Sequence, residues 1–213
     1  MPPIAVEIIL LLVSYLLGSI PNALIISKSC KGIDIREYGS KNMGATNVLR
    51  VLGFKYAIVV FLLDALKAGI IIIMFKVGIF DLEKYCHIPL LTYGLFAVIG
   101  HLFPIFAKFK GGKGVACSAG IICSYAPLIA IPTLLAFIIV VLITKYVSLS
   151  SIIAVTTAVI FSIITPLLMK TEIDWILVIV CFLVFITFII THHTNIKRLI
   201  KGEESKISLK KKK

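Results

Sequence analysis

Gly100-His-Leu-Phe-Pro-Ile-Phe-Ala-Lys-Phe-Lys-Gly-Gly-Lys-Gly-Val-Ala116 joins two apolar runs through a basic, glycine-rich turn. The first run closes on His101, Phe103 and Pro104. Lys108, Lys110 and Lys113 then stand among Gly111, Gly112 and Gly114, and Val115 resumes the apolar pattern. Glycines expose backbone N–H groups at low steric cost, and at the start of a helix such groups form an anion site. The turn is therefore a candidate phosphate site at a membrane surface. The simpler reading is a flexible interhelical turn with ordinary cytoplasmic lysines.

The composition around that turn belongs to a membrane protein. Of 213 residues 60% are hydrophobic, and the mean hydropathy is +1.09, well beyond soluble chains. The fold class expected is all-α and polytopic. The formal net charge is +12, but the basic residues crowd into Lys28–Lys55, Lys108–Lys113 and the segment from Lys197 onward. This is the positive-inside pattern, which assigns those segments to the cytoplasm. Basic loops are expected on that ground alone, so the charge does not argue for nucleic acid. The cysteines Cys30, Cys86, Cys117, Cys123 and Cys181 form no CxxC pair and no zinc spacing, so free thiols and no metal or cofactor are expected. No basic residue precedes the first apolar run, which argues against a cleaved signal peptide.

In chain order, Ile4–Ile26 spans once, with Pro21 and Asn22 near its inner end, where the helix is expected to loosen or to pack on a neighbour. Tyr56–Phe75 and Ile88–Ala107 are the next spans. Val115–Val147 is too long for one helix and carries Pro127 and Pro132, so it reads as two spans meeting near Tyr125–Thr133. Leu149–Met169 and Trp175–Ile190 complete seven, with the N-terminus outside and the C-terminus cytoplasmic. Five spans with re-entrant pieces also satisfy the charge rule. Residues 1–206 form one membrane domain, and 207–213 a basic tail drawn to anionic lipid.

Lys28–Gly53 is rich in short hydrogen-bonding side chains, Ser40, Asn42, Thr46 and Asn47. With Arg36 and Arg50 these could bind a phosphorylated polyol. The alternative is a surface helix capped by Ser40 or Asn42. Asp64 and Lys67, at i, i+3 within a span, read as a neutralising pair. His192 and Asn195 share a helix face at a span's cytoplasmic end, placed either to cap or to act on substrate.

The three basic segments together resemble the bacterial acyl-phosphate-dependent glycerol-3-phosphate acyltransferases, the PlsY family. The first match is Gly18-Ser-Ile-Pro with Asp34-Ile-Arg…Gly39-Ser40…Asn42…Gly44-Ala-Thr-Asn-Val-Leu-Arg50. The second is Gly100-His-x-Phe-Pro…Lys108-Phe-Lys-Gly-Gly-Lys-Gly114. The third is His192-x-x-Asn195-Ile-x-Arg198-Leu…Gly202-x-Glu204-x-Lys206, and Leu63-Asp-x-x-Lys67 fits as well. Lys41 stands where Gly usually follows the motif Ser, and Thr191 and His193 where Arg is common.

This resemblance implies acyl transfer from acyl phosphate to the 1-hydroxyl of glycerol 3-phosphate in the bacterial inner membrane, with the active site toward the cytoplasm. The products implied are lysophosphatidic acid and phosphate. It implies that Ser40, Arg50, Lys113, His192 and Asn195 bind or orient substrate, that Gly111, Gly112 and Gly114 form a phosphate loop, and that Glu204 holds local structure. A soluble enzyme supplying acyl phosphate is an implied partner. Acyl phosphate carries a good leaving group, so alignment alone could supply much of the rate. A donor phosphate oxygen or His192 could then take the hydroxyl proton. No H-x4-D acyltransferase signature, Walker A loop or Gly-x-Ser-x-Gly elbow is present. A transporter of phosphate or an organic anion is the rival class, but it should carry its polar groups near the midplane. Here only Asp64 and Lys67 lie deep.

Overall fold

In a bilayer each backbone amide must be satisfied within its own segment, so an apolar run of membrane length folds as a helix. The computed structural model, which describes residues 2–207, places helices on every such run and has no strand among the described residues. The helices are α1 (Pro3–Ser19), α2 (Asn22–Lys31), α3 (Ala45–Val51), α4 (Phe54–Lys76), α5 (Leu82–Tyr85), α6 (Leu91–Leu102), α7 (Val115–Tyr125), α8 (Pro127–Thr144), α9 (Val147–Met169), α10 (Trp175–Thr191) and α11 (His193–Ile200). The basic tail expected over 207–213 lies, apart from Ile207, outside the described residues.

Four segments are long and apolar enough to cross a membrane: Pro3–Lys31, α4, α8 and α9. The bent pair α10 and α11 makes a fifth if taken as one span. The remaining apolar helices fall where spans were expected but are short. At 12 and 11 residues, α6 and α7 rise only about 16–18 Å at 1.5 Å per residue, against roughly 30 Å of hydrocarbon.

The helices group into two compact units that meet in sequence at Tyr125 and Ala126. In the first, α1 packs along α6 and α4 along α7. Glycines let these backbones approach. A Cβ on Gly18 would stand 2.1 Å from the Ala97 carbonyl oxygen, and one on Gly120 would stand 1.9 Å from that of Ala65. Such close small-residue crossings are what hold helices together where lipid removes the hydrophobic drive. The α1–α2 break at Ile20–Pro21 is the loosening expected from Pro21, which has no N–H to continue the helix. Near the opposite end of α1, the buried Glu7 carboxylate accepts the backbone N–H of His87.

In the second unit, α9 packs against both α8 and α10. Its Ser150 and Ser151 are buried, and each hydroxyl donates to the carbonyl four residues earlier, Tyr146 and Val147, at 2.8 Å. Ile139 and Ile143 on α8 and Ile179 on α10 are exposed instead, the arrangement of a protein whose solvent is lipid. The break expected over Tyr125–Thr133 lies at Ala126 alone. Pro127 opens α8 at a position whose N–H needs no partner. Pro132 sits inside α8 without ending it, since it removes a single rung and the flanking bonds continue.

Candidate active site

Gly114 accepts the first hydrogen bond of α7, from Ser118 N–H at 2.8 Å, so the Gly111–Gly114 turn precedes a helix N-terminus. The positive end of the helix dipole is directed toward the turn. The turn is packed down rather than loose. Gly112 N–H donates to the His101 carbonyl at 3.1 Å. A Cβ on Gly111 would meet that carbonyl oxygen at 2.1 Å, and one on Gly112 would meet His101 Nε2 at 2.2 Å. Gly114 has φ of +85°, open to glycine at no cost. Each of the three glycines is therefore required by sterics, and Lys113, half-buried, is held between them.

Beneath the turn lies a buried polar cluster. Asp64 and Lys67 form an ion pair at 2.7 Å, with their side chains 2% and 6% exposed. Asn22 Nδ2 donates to Asp64 at 2.9 Å, Lys67 Nζ donates to the Ile20 carbonyl at 2.8 Å, and His101 Nδ1 lies 3.8 Å from Asp64. The Ile20 carbonyl is available because α1 breaks there. The pair expected from sequence thus has a wider role. It joins the α1–α2 break, α4, and the α6 histidine against which Gly112 packs.

Lys28–Gly53 folds back on α2 and α4 over a small apolar core that includes Ile35, Met43 and Val48. Its organiser is Asn47, 1% exposed. Asn47 Oδ1 accepts Ser40 N–H at 2.8 Å, while Nδ2 donates to the carbonyls of Ile35 and Tyr38 at 3.1 and 3.0 Å. Gly39 has φ of +59°, and a Cβ there would strike Asn47 Oδ1 at 2.3 Å. The helix that follows is capped by Gly44, with no side-chain cap. The expectation of Ser40 or Asn42 as N-cap is therefore wrong, because the Asn47 clamp places Ser40 upstream of the helix. Arg36 is committed to Asp34 through Nε at 2.9 Å and Nη2 at 2.6 Å. This guanidinium holds the Asp34 carboxyl down at about 2. Asn47 and Arg36, offered by the sequence as substrate ligands, are structural. Ser40 is exposed, and Arg50 lies half-buried in the last turn of α3.

In the second unit, α10 and α11 meet at His192 with a bend of 64°. His192 and Asn195 are 3% and 6% exposed. His192 Nδ1 lies 3.1 Å from the Phe188 carbonyl. A carbonyl only accepts, so in the neutral ring this contact assigns the proton to Nδ1 and the lone pair to Nε2. Glu204 closes the segment. Its Oε1 accepts from Asn195 Nδ2 at 2.7 Å and Ser148 Oγ at 3.0 Å, and its Oε2 accepts from Arg198 Nε at 2.8 Å. Burial alone would raise this carboxyl, but the bonds from Arg198, Asn195 and Ser148 outweigh it and hold it below the usual value of 4.5.

The sign follows from that depression. Glu204 contributes stability above the unfolded carboxylate range, and loses it as pH falls through the lower folded value. Asp34 acts in the same direction. The thermal midpoint should therefore drop between about pH 5 and pH 2, and Glu204→Gln should start lower and flatten part of that drop. A variant with the wild-type slope would remove Glu204 from this account.

Asn22, Asn47 and His101 stand in or beside the sequence motifs, but their positioning roles come only from the fold. Pro21-Asn22 beside a buried-charge motif was the available signal for the first. Nothing in the spacing announced Asn47 as a clamp.

A family model described as glycerol-3-phosphate acyltransferase matches residues 8–202. The chain belongs to this family. The glycerol-3-phosphate acyltransferase of Listeria welshimeri is 44% identical over 200 residues, covering 94% of this chain and 96% of that protein. The one of Bacillus subtilis is 45% identical over 199 residues, covering 93% and 96%. The fold is similar to the crystal structure of PlsY, an integral membrane glycerol 3-phosphate acyltransferase, in its glycerol 3-phosphate form. The TM-score there is 0.82, with 36% identity and coverage of 95% of this chain and 96% of that one. The lysophosphatidic acid form of the same enzyme gives a TM-score of 0.80.

Proposed function

We propose that this chain transfers an acyl group from acyl phosphate to the 1-hydroxyl of sn-glycerol 3-phosphate, giving lysophosphatidic acid and inorganic phosphate, the first step of phospholipid synthesis. The observation that carries this reading is the sterically closed Gly111–Gly114 turn, which holds Lys113 at the start of α7, in a chain matching the family over residues 8–202. The amides and the lysine bind phosphate, and Arg50, which is suited to bidentate contact, is a second phosphate ligand. Ser40, His192 and Asn195 orient the substrates, and Glu204 holds Asn195 in place. The acceptor hydroxyl oxygen attacks the acyl carbonyl, and the carbon–oxygen bond to phosphate breaks. The phosphate leaves with the electron pair and takes the hydroxyl proton. Alignment supplies most of the rate, because the leaving group is already activated.

The enzyme sits in the bacterial plasma membrane with seven apolar segments, its basic loops toward the cytoplasm and its N-terminus outside. The clustering of lysine and arginine supports this orientation. A soluble enzyme that makes acyl phosphate would supply the donor. The test is an assay of protein reconstituted in lipid, with labelled glycerol 3-phosphate and either palmitoyl phosphate or palmitoyl-CoA. Lysophosphatidate should form from acyl phosphate alone. Product from the thioester would overturn the donor assignment, and no product from either would return transport to the front.

A further inference from the structure

An open cavity of about 490 Å³ adjoins the glycine turn at Gly111, lined in part by Arg36, Glu37, Lys41, Lys108, Lys110 and Gly111. None of the proposed substrate ligands Ser40, Arg50 and Lys113 lines it, and it shares only Gly111 with the turn. Asp34, also in its wall, is matched by Arg36. That leaves three exposed lysines against the one carboxylate of Glu37, an electropositive recess in a loop region.

The backbone gives a second, independent sign. Lys41 has φ of +58°, Lys108 of +55° and Phe109 of +58°. The left-handed region disfavours any side chain with a Cβ, and glycine or asparagine would sit there with less strain. Two of the three cavity lysines are thus held in conformations their own backbones resist. Strain of this kind concentrates at functional sites, where the side chain is needed and the surroundings fix it. Lys145 and Lys170 share this conformation as the C-caps of α8 and α9, whereas Lys41 and Lys108 adopt it in the loops that wall the cavity.

We propose that this recess is a capture site for a phosphate monoester dianion, and specifically for the phosphate of the water-soluble acceptor, which it gathers from solution and delivers past Gly111 to the turn. The inference rests on the reading of glycerol 3-phosphate as acceptor. A cleft with an excess of one charge raises the local concentration of an oppositely charged substrate, and does so less as salt screens it. The acyl phosphate donor shares the phosphate chemistry but partitions into the bilayer, so a solvent-facing recess should not affect its use.

The experiment uses the full chain in liposomes, with the KM for each substrate measured at saturation of the other and at two ionic strengths. Two variants accompany the wild type: Lys41→Gly, and the triple Lys41→Gly, Lys108→Asn, Lys110→Gln. Both place better-suited residues in the left-handed positions, so the thermal midpoint should be unchanged or higher. In the triple variant the KM for glycerol 3-phosphate should rise roughly three- to tenfold and lose most of its salt dependence. Its kcat and its KM for acyl phosphate should stay constant. Lys41→Gly alone should move the same parameter by a smaller factor. An unchanged acceptor KM in an active, folded triple variant would overturn the capture site and leave the acyltransferase reading intact. A rise confined to acyl phosphate would overturn the acceptor assignment. A wild-type protein that makes no lysophosphatidate would remove the reading on which the inference stands.

Discussion

Lys67→Met should lower the stability of the protein by about 3–5 kcal/mol, the cost of leaving a buried charge without its partner. Asp64 is 1% exposed, and its ion pair with Lys67 at 2.7 Å supplies the compensating charge. Asn22 and His101 remain beside it in the variant, but a neutral amide at 2.9 Å and an imidazole at 3.8 Å cannot replace an ammonium. The loss also leaves the Ile20 carbonyl without its Lys67 donor. The double variant Asp64→Asn, Lys67→Met removes both charges and should recover most of the midpoint lost by the single one, since no isolated charge remains. Thermal unfolding in detergent, measured on both, checks this. Equal destabilisation by the single and the double would mean that the pair acts through packing and not through charge.

Lys113→Ala should reduce kcat by roughly 10²–10³-fold, the usual consequence of removing one preorganised donor from developing negative charge. The magnitude rests on how firmly Lys113 is placed. It stands between glycines whose positions are fixed by the carbonyl and ring of His101, so the backbone that carries it is ordered before substrate arrives. The residual activity comes from the turn amides, which the substitution leaves in place. The thermal midpoint should fall far less than in Lys67→Met, because Lys113 is only half-buried. Lys113→Arg should restore only part of the rate, since a planar fork presents its donors differently from a compact ammonium. Wild-type turnover in Lys113→Ala would remove this residue from the site and leave the amides and Arg50 as the phosphate ligands.

The helices were legible because lipid leaves an apolar run one option. The glycine turn was legible as a turn, since three glycines within four residues disfavour a helix there. What the sequence could not convey was which polar side chains serve the backbone. Asn47 and Arg36 looked like ligands because their chemistry suits a phosphorylated polyol. Only the fold shows that Asn47 faces inward to three backbone groups and that Arg36 is closed on Asp34. Pro132 misled for a related reason. A proline's effect depends on which rung it removes, and hydropathy carries no information on that. His101 is the converse case, a histidine within an apolar run whose importance lies in the backbone and ring surface it offers to Gly111 and Gly112.

The Asn47 clamp has a thermodynamic consequence. One amide side chain joins the segment at Ile35, Tyr38 and Ser40, so the chain around Ser40 is ordered before any ligand arrives. Binding to a mobile loop would lose conformational entropy at every residue it froze, roughly 1–2 kcal/mol each. Here that loss has already been met during folding, by the burial of Ile35 and Val48 beneath the segment. The substrate contacts proposed for Ser40 would then act on the orientation of the reacting groups instead of on the shape of the protein.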